Sequence, residues 1–526
     1  MYKRVWWCAV LLLVGADRVM ADPLSFEIRA FEVVGNTLLD AATVQATLQP
    51  FTGPGRAVAD VTRAAEMLRM RYQAAGYTVV QVMAPEQVLT GGVVKLKVQE
   101  DRVTAIEVQG NKQYSADNIR ASLPVLVRGN SLNAKQLEAA ISLANENAAK
   151  QVAVNVQPGS QPGDLIARVD VSEDRLSRWM VGMDNTGAAA TGYAKLNVAY
   201  QHANLFDRDH ALALQYTASP DALDKIGSVN LGYHLPLYPS GVSLDFIAAY
   251  SSSATQNGAI YFSGKGSVLG ARLNYPLPTL GDWRHKVILG ADYKANTNSF
   301  TACTAPCGSV TERPFSLAYA AQLTKPSVQG AGSVTWVSNL PGGSQGSYLH
   351  YQAARATVAG ATLLPTPNWR LWRANVSGSV SLPLDWQMRA ALNGQYSRDL
   401  LLPAEQLGVG GMATVRGYPE RVVAGERGYY GNLELYTPDL NQYWKLPDDS
   451  VRALLFWDTA RVSVNDQPLA WSHSAISSYG IGVRVVHRRD VTVKLDLGWP
   501  QQSVPYLGSV IKKNDVRGHI AISLVF

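Results

Sequence analysis

A chain of 526 residues, 47% hydrophobic and 17% charged, is too long for one ordinary domain and has the composition of a folded protein rather than a disordered one. Its net charge of +6 and pI near 9.0 would suit a nucleic-acid partner, but no basic run with interleaved aromatics supports one. No long apolar run recurs after Val14, and the mean hydropathy is −0.05, which excludes a bundle of membrane helices but not a barrel, whose strands need only about 9–11 residues.

Residues 1–21 read as a signal peptide: Lys3 and Arg4 precede the apolar stretch from Val5 to Val14, and Val19 and Ala21 supply the small residues before cleavage. A membrane anchor is the alternative, but a core of about ten residues falls well short of a bilayer. Next comes an internal repeat. Phe31-Glu-Val33-Val-Gly35-Asn36 returns as Ile106-Glu-Val108-Gln-Gly110-Asn111, each an alternating strand ending in a Gly-Asn turn. In the first copy, helices are expected near Ala41 to Leu48 and Val61 to Ala75, and strands at Thr78 to Met83 and Val93 to Gln99. In the second, Asn133 is a candidate N-cap with Gln136 three residues on, and strands are expected at Val152 to Val156 and Leu165 to Val171. The unit is βααββ, used twice, at 24–101 and 102–174.

From Arg178 the helical period disappears, and alternating segments separated by Gly, Pro, Asn and Ser clusters take over. Residues 178–526 suffice for about sixteen strands at roughly 22 residues each, which predicts an antiparallel transmembrane β-barrel. Pro-containing joins at Leu235-Pro236-Leu237, Leu277-Pro278 and Leu382-Pro383-Leu384 read as tight turns at one end. Cys303 and Cys307 lie in a polar, Thr-rich stretch and read as a loop disulfide in an oxidising compartment; two thiols alone make no metal site. Trp457, Trp471 and Trp499 suit interfacial girdles or internal packing. Alternation places Arg484, Lys494 and Asp496 in the lumen, because a charge on the lipid face costs about 2–4 kcal/mol at midplane. The chain ends on Ile520, Ile522, Leu524 and Phe526 along one strand face, with His519, Ala521 and Ser523 along the other, as a closing barrel strand would.

Gly410 and Gly411 precede Val415, Arg416, Gly417 and Tyr418, and Phe456 and Asp458 stand on a later alternating strand with Ala460 two residues on. Glycines let the loop fold sharply, and the planar five-donor fork of Arg suits a carboxylate. Leu455 and Trp457 would face lipid, so the Asp458 carboxylate points inward. An Arg416–Asp458 pair tethering the loop inside the barrel is therefore expected; the alternative is a solvated Arg416 in an exposed turn.

These residues, with Glu405-Gln406, Glu420, Gly425, Gly428 and Leu433-Glu434-Leu435, resemble the signatures of the two-partner secretion outer-membrane transporters, the haemolysin secretion/activation type of the POTRA-plus-barrel superfamily. The second signature, Phe-x-Asp-x-Gly, has Ala460 where Gly is usual, and its Cβ is expected to hinder a close loop approach. Tyr77, Pro85-Glu86-Gln87, Leu123-Pro124, Asp184-Asn185 and Asn204-Leu205-Phe206 extend the match along the mature chain. The resemblance implies a bacterial outer-membrane location, two POTRA domains in the periplasm, and a lumen loop around 405–428. It also implies a secreted partner with an N-terminal two-partner secretion domain, an adhesin or haemolysin that some such transporters also activate. Outer-membrane lipid would surround a monomeric barrel. Edge strands, with Thr78 to Met83 and Val152 to Val156 as candidates, would capture the partner by strand addition. Some members carry an N-terminal plug helix, for which the few residues after Ala21 leave no room, so the Arg416 loop is the expected obstruction. A barrel-assembly insertase is the alternative function. No phosphate-binding loop, His-Glu-x-x-His or nucleophile elbow points to an enzyme, a cofactor or a metal, and the Gly408 to Gly411 cluster lacks the strand-to-helix context of a nucleotide site.

Overall fold

Two β-α-α-β-β modules and a closed antiparallel barrel make up the computed structural model, which describes residues 25–187, 192–222, 227–252, 255–257, 260–262, 264–298, 308–355, 363–444, 448–465, 473–506 and 508–526. Cys303, Cys307, Trp471 and the signal-peptide segment lie outside the described residues. The chain divides into two compact units. One runs to Ile106 and adds Val127–Gln136 and Val156–Ala167; the other holds Glu107–Leu126, Leu137–Asn155 and Arg168–Phe526.

The first module contains β1 (Phe26–Ile28), β2 (Ala30–Val34), α1 (Ala41–Leu48), β3 (Gly53–Arg56), α2 (Val58–Ala74), β4 (Gln81–Met83) and β5 (Val93–Gln99). Its sheet has the order β2-β5-β4, and β1 and β3 form a separate two-stranded ribbon. Asp40 caps α1 by accepting from the Thr43 N–H at 2.8 Å, and the Thr43 N–H and hydroxyl hold its carboxyl below the ordinary aspartate range. Val44, Leu48, Ala64, Leu68, Tyr72, Leu96 and Val98 form the core between helices and sheet.

The second module contains β6 (Arg102–Gln109), α3 (Ala116–Ser122), α4 (Ala134–Ala144), β7 (Lys150–Pro158) and β8 (Asp164–Glu173), with sheet order β6-β8-β7. The repeat is structural as well as sequential. A Cβ on Gly35 would come within 2.3 Å of the Val98 carbonyl oxygen, and one on Gly110 within 2.3 Å of the Val171 carbonyl oxygen. In each turn a carboxylate from the last strand or just after it gathers N–H groups: Glu100 takes Thr37 and Leu38, and Glu173 takes Lys112, Gln113 and Tyr114. Both β4 and β7 are edge strands.

The barrel strands are β9 (Ser177–Asp184), β10 (Lys195–Leu205), β11 (His210–Ala218), β12 (Gly227–Leu237), β13 (Val242–Ser251), β14 (Gly264–Pro276), β15 (Trp283–Asn298) and β16 (Ser309–Glu312, continued as Pro314–Thr324). They continue as β17 (Val328–Asn339), β18 (Arg370–Ser381), β19 (Gln387–Tyr396), β20 (Arg427–Tyr436), β21 (Asp449–Ser463), β22 (His473–His487), β23 (Val491–Pro500) and β24 (Arg517–Val525). Each pairs with the next, and β24 closes onto β9 through five residue pairs. The join is extended by mutual N–H to O=C bonds between Trp179 and Phe526 and by the Asn185 side chain, which bonds the Gly518 carbonyl and the Ile520 N–H. Ile520, Ile522, Leu524 and Phe526 are exposed on the outer face while His519 is buried inward, the alternation that lipid outside and a polar lumen inside require. Trp457 is exposed outward, and Trp499 stacks on Tyr479 at 6.0 Å. Asp496 is buried with Arg484 on the inner face, and Lys494 shares that face by alternation.

Lys150 at the start of β7 is fully buried and reaches the turn after β10, where its Nζ lies 2.5 Å from Asp209 Oδ2 and 3.2 Å from Asn118 Oδ1. The Tyr238 hydroxyl donates to the same Asp209 oxygen at 2.6 Å, and Asn147 donates to the Ala203 carbonyl at 2.8 Å. Burial pulls the Lys150 ammonium below the ordinary lysine range; the Asp209 carboxylate is the main group holding the proton in place. Glu146, just after α4, adds Ser243 and Lys286 at 3.2 and 3.5 Å. The second module is thereby fastened to three turns of the barrel's near end.

Candidate functional site

The connection from β19 to β20 folds into the barrel rather than away from it. Its short hairpin (Leu407–Val409 with Val423–Gly425) leads to a tip where Gly410 and Gly411 take φ of +110° and +98°, angles that side chains other than glycine rarely adopt. The tip is closed by its own bonds: Thr414 Oγ1 accepts from Gly410 N–H, the Val415 carbonyl from Gly411 N–H, and Glu420 from Met412 N–H. Val409, Val415 and Tyr418 then pack on Ala460, Val462, Ile476 and Val504. The Cβ of Ala460 thus serves this apolar contact, and a close backbone approach of the loop tip to the wall falls elsewhere.

That approach is between Gly417 and Gly498 of β23. A Cβ on Gly498 would lie 2.7 Å from the Gly417 nitrogen and 2.9 Å from the Arg416 carbonyl carbon. Both atoms are backbone, so the loop would have to move. Gly498→Ala is expected to leave a folded barrel with a raised and fluctuating conductance in planar bilayers; a quiet channel at the wild-type level would show that the approach has slack.

Arg416 is the centre of the site. Its Nε and Nη2 each lie 2.8 Å from the two oxygens of Asp458, and its backbone N–H donates to Asp458 at 3.1 Å. Nη1 donates to Glu434 at 2.7 Å and stands 3.6 Å from Asp496, and the guanidinium lies 3.6 Å from the centre of the Phe456 ring. Side-chain exposure is 4% for Arg416 and 0% for Asp458, so the pair is desolvated rather than hydrated. Asn432 bridges the Thr414 carbonyl at 2.7 Å and Asp458 at 2.8 Å. Gly417 N–H donates to His519 Nε2 at 3.0 Å, and the Tyr418 hydroxyl exchanges bonds with Gln502. Through these contacts the loop engages β20, β21, β22, β23 and β24.

The base of the loop has a second set of anchors. Glu405, 2% exposed, pairs with Lys294 of β15 and with Arg373 of β18 at 2.9 Å. Glu426 pairs with Arg355 at 2.5 Å, after helix α5 (Tyr348–Ala354), and accepts from Gln406 and Asn465. Asn432 and Glu434, which hold the tip, also line a polar lumen cavity of about 620 Å³ together with Arg389, Ser377, Gln322 and Gln329. Alternation placed His519 on the lumen face; its role as acceptor for the loop, and the approach at Gly498, had no sequence signal. Among the described residues no group of three or more His, Cys, Asp or Glu side chains is arranged to hold a metal.

A family model for the haemolysin secretion/activation protein ShlB/FhaC/HecB matches residues 165–485, and a model for the POTRA domain of ShlB type matches residues 26–101. The chain is similar to the outer membrane transporter CdiB of Dickeya dadantii (strain 3937), 25% identical over 451 residues that cover 81% of this chain and 74% of the relative. Its fold is similar to that of CdiB from Escherichia coli, with a TM-score of 0.72 at 20% identity over 98% of this chain and 94% of the other. CdiB from Acinetobacter baumannii gives 0.69 at 16% identity over 97% and 91%.

Proposed function

The chain belongs to the haemolysin secretion/activation protein family, outer-membrane transporters that work with a secreted partner in two-partner secretion, and from that membership we propose how it handles the partner. Both modules act as POTRA domains in the periplasm and capture an unfolded exoprotein of the adhesin or haemolysin class. An edge strand, β4 or β7, accepts a segment of it by main-chain hydrogen bonding. The barrel lumen is the route out. A lumen loop fixed by the desolvated Arg416–Asp458 pair carries this reading, because a passive solute pore has no use for a plug tethered to five strands. The loop closes the resting pore and must leave its seat for the chain to pass. Without a nucleotide in this compartment, direction comes from the partner folding outside, unit by unit as it emerges.

The test compares culture medium and outer-membrane proteins from cells with and without the chain. Loss of one large exoprotein from the medium, with other barrels intact, is expected. Depletion of many barrels would instead make it an assembly insertase.

A further inference from the structure

Four arginines stand on the outside of the barrel, on or just beyond the ends of four consecutive neighbouring strands and all at the end opposite the turns that hold Asp209 and Tyr238. Arg370 shares the outer face of β18 with Trp372, two residues on, and Arg427 shares that of β20 with Tyr429. Arg398 follows Tyr396 of β19 by two residues and donates from Nε to its hydroxyl at 3.0 Å. On β21, Arg461 lies opposite Tyr429 in the ladder. The facing is settled by the neighbours: Leu371, Glu426, Ala460 and Val462 are buried on the inner side, and Trp372, Tyr396, Tyr429 and Trp457 are exposed on the outer. Successive same-face residues are about 6.6 Å apart, and neighbouring strands about 4.8 Å. In the ladder Arg370 and Arg398 stand one step beyond Trp372 and Tyr396, Arg427 falls beside Tyr396 and Arg461 lies opposite Tyr429, so the four guanidinium groups form a diagonal roughly 14 Å across the strands that runs along the outer edge of an aromatic band including Trp336 opposite Trp372.

Among the described residues, neighbouring sectors do not continue the arginines. The same-face residue one step beyond Tyr216 is Ala218, beyond Val229 it is Gly227, and beyond Tyr293 it is Ala295. Among the described residues none of the four arginines has a carboxylate partner on its side chain. Inside the barrel, by contrast, Arg272 is paired with Asp292 and Arg484 with Asp496. An aromatic band marks the level where acyl chains give way to headgroups. Four guanidinium forks at and just beyond its outer edge face whatever anion the outer leaflet supplies, and a planar fork matches a phosphate through two parallel hydrogen bonds.

We propose that Arg370, Arg398, Arg427 and Arg461 form a binding site for the phosphates of the phosphorylated glycolipid of the outer leaflet, with Trp372, Tyr396 and Tyr429 seating its first acyl segments. The row borders both ends of the lumen loop, since Arg398 and Arg427 flank the segment that enters the barrel and Glu426 is the inward neighbour of Arg427. A lipid bound here stiffens the two strands from which the loop hangs. The proposal needs only the outer-membrane location and stands whichever exoprotein is carried.

Native mass spectrometry of the full chain in detergent tests it with bisphosphorylated lipid A, dephosphorylated lipid A and phosphatidylglycerol as probes, and with inorganic phosphate as competitor. Retention of bisphosphorylated lipid A at least tenfold above the dephosphorylated form is expected. It should fall at least tenfold in R427A/R461A, and comparably in R370A/R398A should the first pair fail to assemble; heat-modifiable migration reports the folded barrel. Equal retention of the two lipid A forms, or retention unchanged in a folded variant, overturns the site. Displacement by inorganic phosphate alone, or equal retention of phosphatidylglycerol, also overturns it, since the arginines would then recognise any phosphate and not this lipid.

Discussion

Arg416→Ala is expected to turn a quiet pore into one that opens often and to change secretion of the partner, because the loop then leaves its seat without the partner's help. Removing one member of a desolvated ion pair costs about 3–5 kcal/mol, because the remaining charge stays buried without compensation. Here the remainder includes Asp458, Glu434 and Asp496, three carboxylates around one vacated cation. At about 1.4 kcal/mol per factor of ten, that loss favours the unseated loop by roughly two to three orders of magnitude. Arg416→Lys should not restore the wild type: an ammonium is a point charge and cannot span both Asp458 oxygens and reach Glu434. Asp458→Ala should resemble Arg416→Ala, although Arg416 keeps Glu434 and its effect should be smaller. Deleting Leu407 to Gly425 sets the upper limit of conductance, and the Arg416→Ala open level should approach it. Planar-bilayer recording and an assay of secreted partner decide this; wild-type behaviour of both point variants would end the tether idea.

The parts legible in the sequence were those governed by local periodicity. Alternation alone assigned inner and outer faces along β21, β23 and β24, because a period of two leaves no third choice. The Gly-Asn echo located both modules, since the same positive-φ turn must recur wherever the same strand-to-helix entry recurs. Boundaries were less accurate where local chemistry competes with the apolar pattern. Helix α2 begins at Val58, three residues before its first buried residue Val61, because Asp60 folds back to the Ala57 N–H at 2.9 Å. The strand expected from Thr78 starts at Gln81, since Val80 turns into the core and only Gln81, Val82 and Met83 pair with β5. The ribbon of β1 with β3 was not foreseen, and Gly53-Pro54-Gly55-Arg56 has none of the composition of a strand. At the loop, parity says that His519 and Glu434 face inward but not at what depth, and depth decides which of them meets Arg416 and Gly417. The Lys150–Asp209 pair has a similar origin, joining residues distant in sequence with no pattern to announce it.

That pair supports the second large effect. Lys150→Met should loosen the second module from the barrel's near end by about 3–5 kcal/mol, because it leaves the Asp209 carboxylate buried with only the Tyr238 hydroxyl and a distant Asn147 amide as donors. Asp209→Asn should do as much from the other side. The folded state already holds the ammonium below its ordinary range, so without its counter-charge Lys150 sheds its proton or brings water into the seam. A desolvated pair is costly to break from one side yet of little net value against apolar replacements. The double variant Lys150→Met with Asp209→Leu should therefore regain much of what either single change loses. Protease cleavage near Asp174 and Arg175, which lead from β8 into the barrel, reports the loosening, and secretion reports its consequence. Both single variants should be cut faster and export less, with the double variant between them and the wild type. If all three resist protease as the wild type does, the module is held by Glu146 and the turn contacts instead, and Lys150 is only a tolerated buried charge.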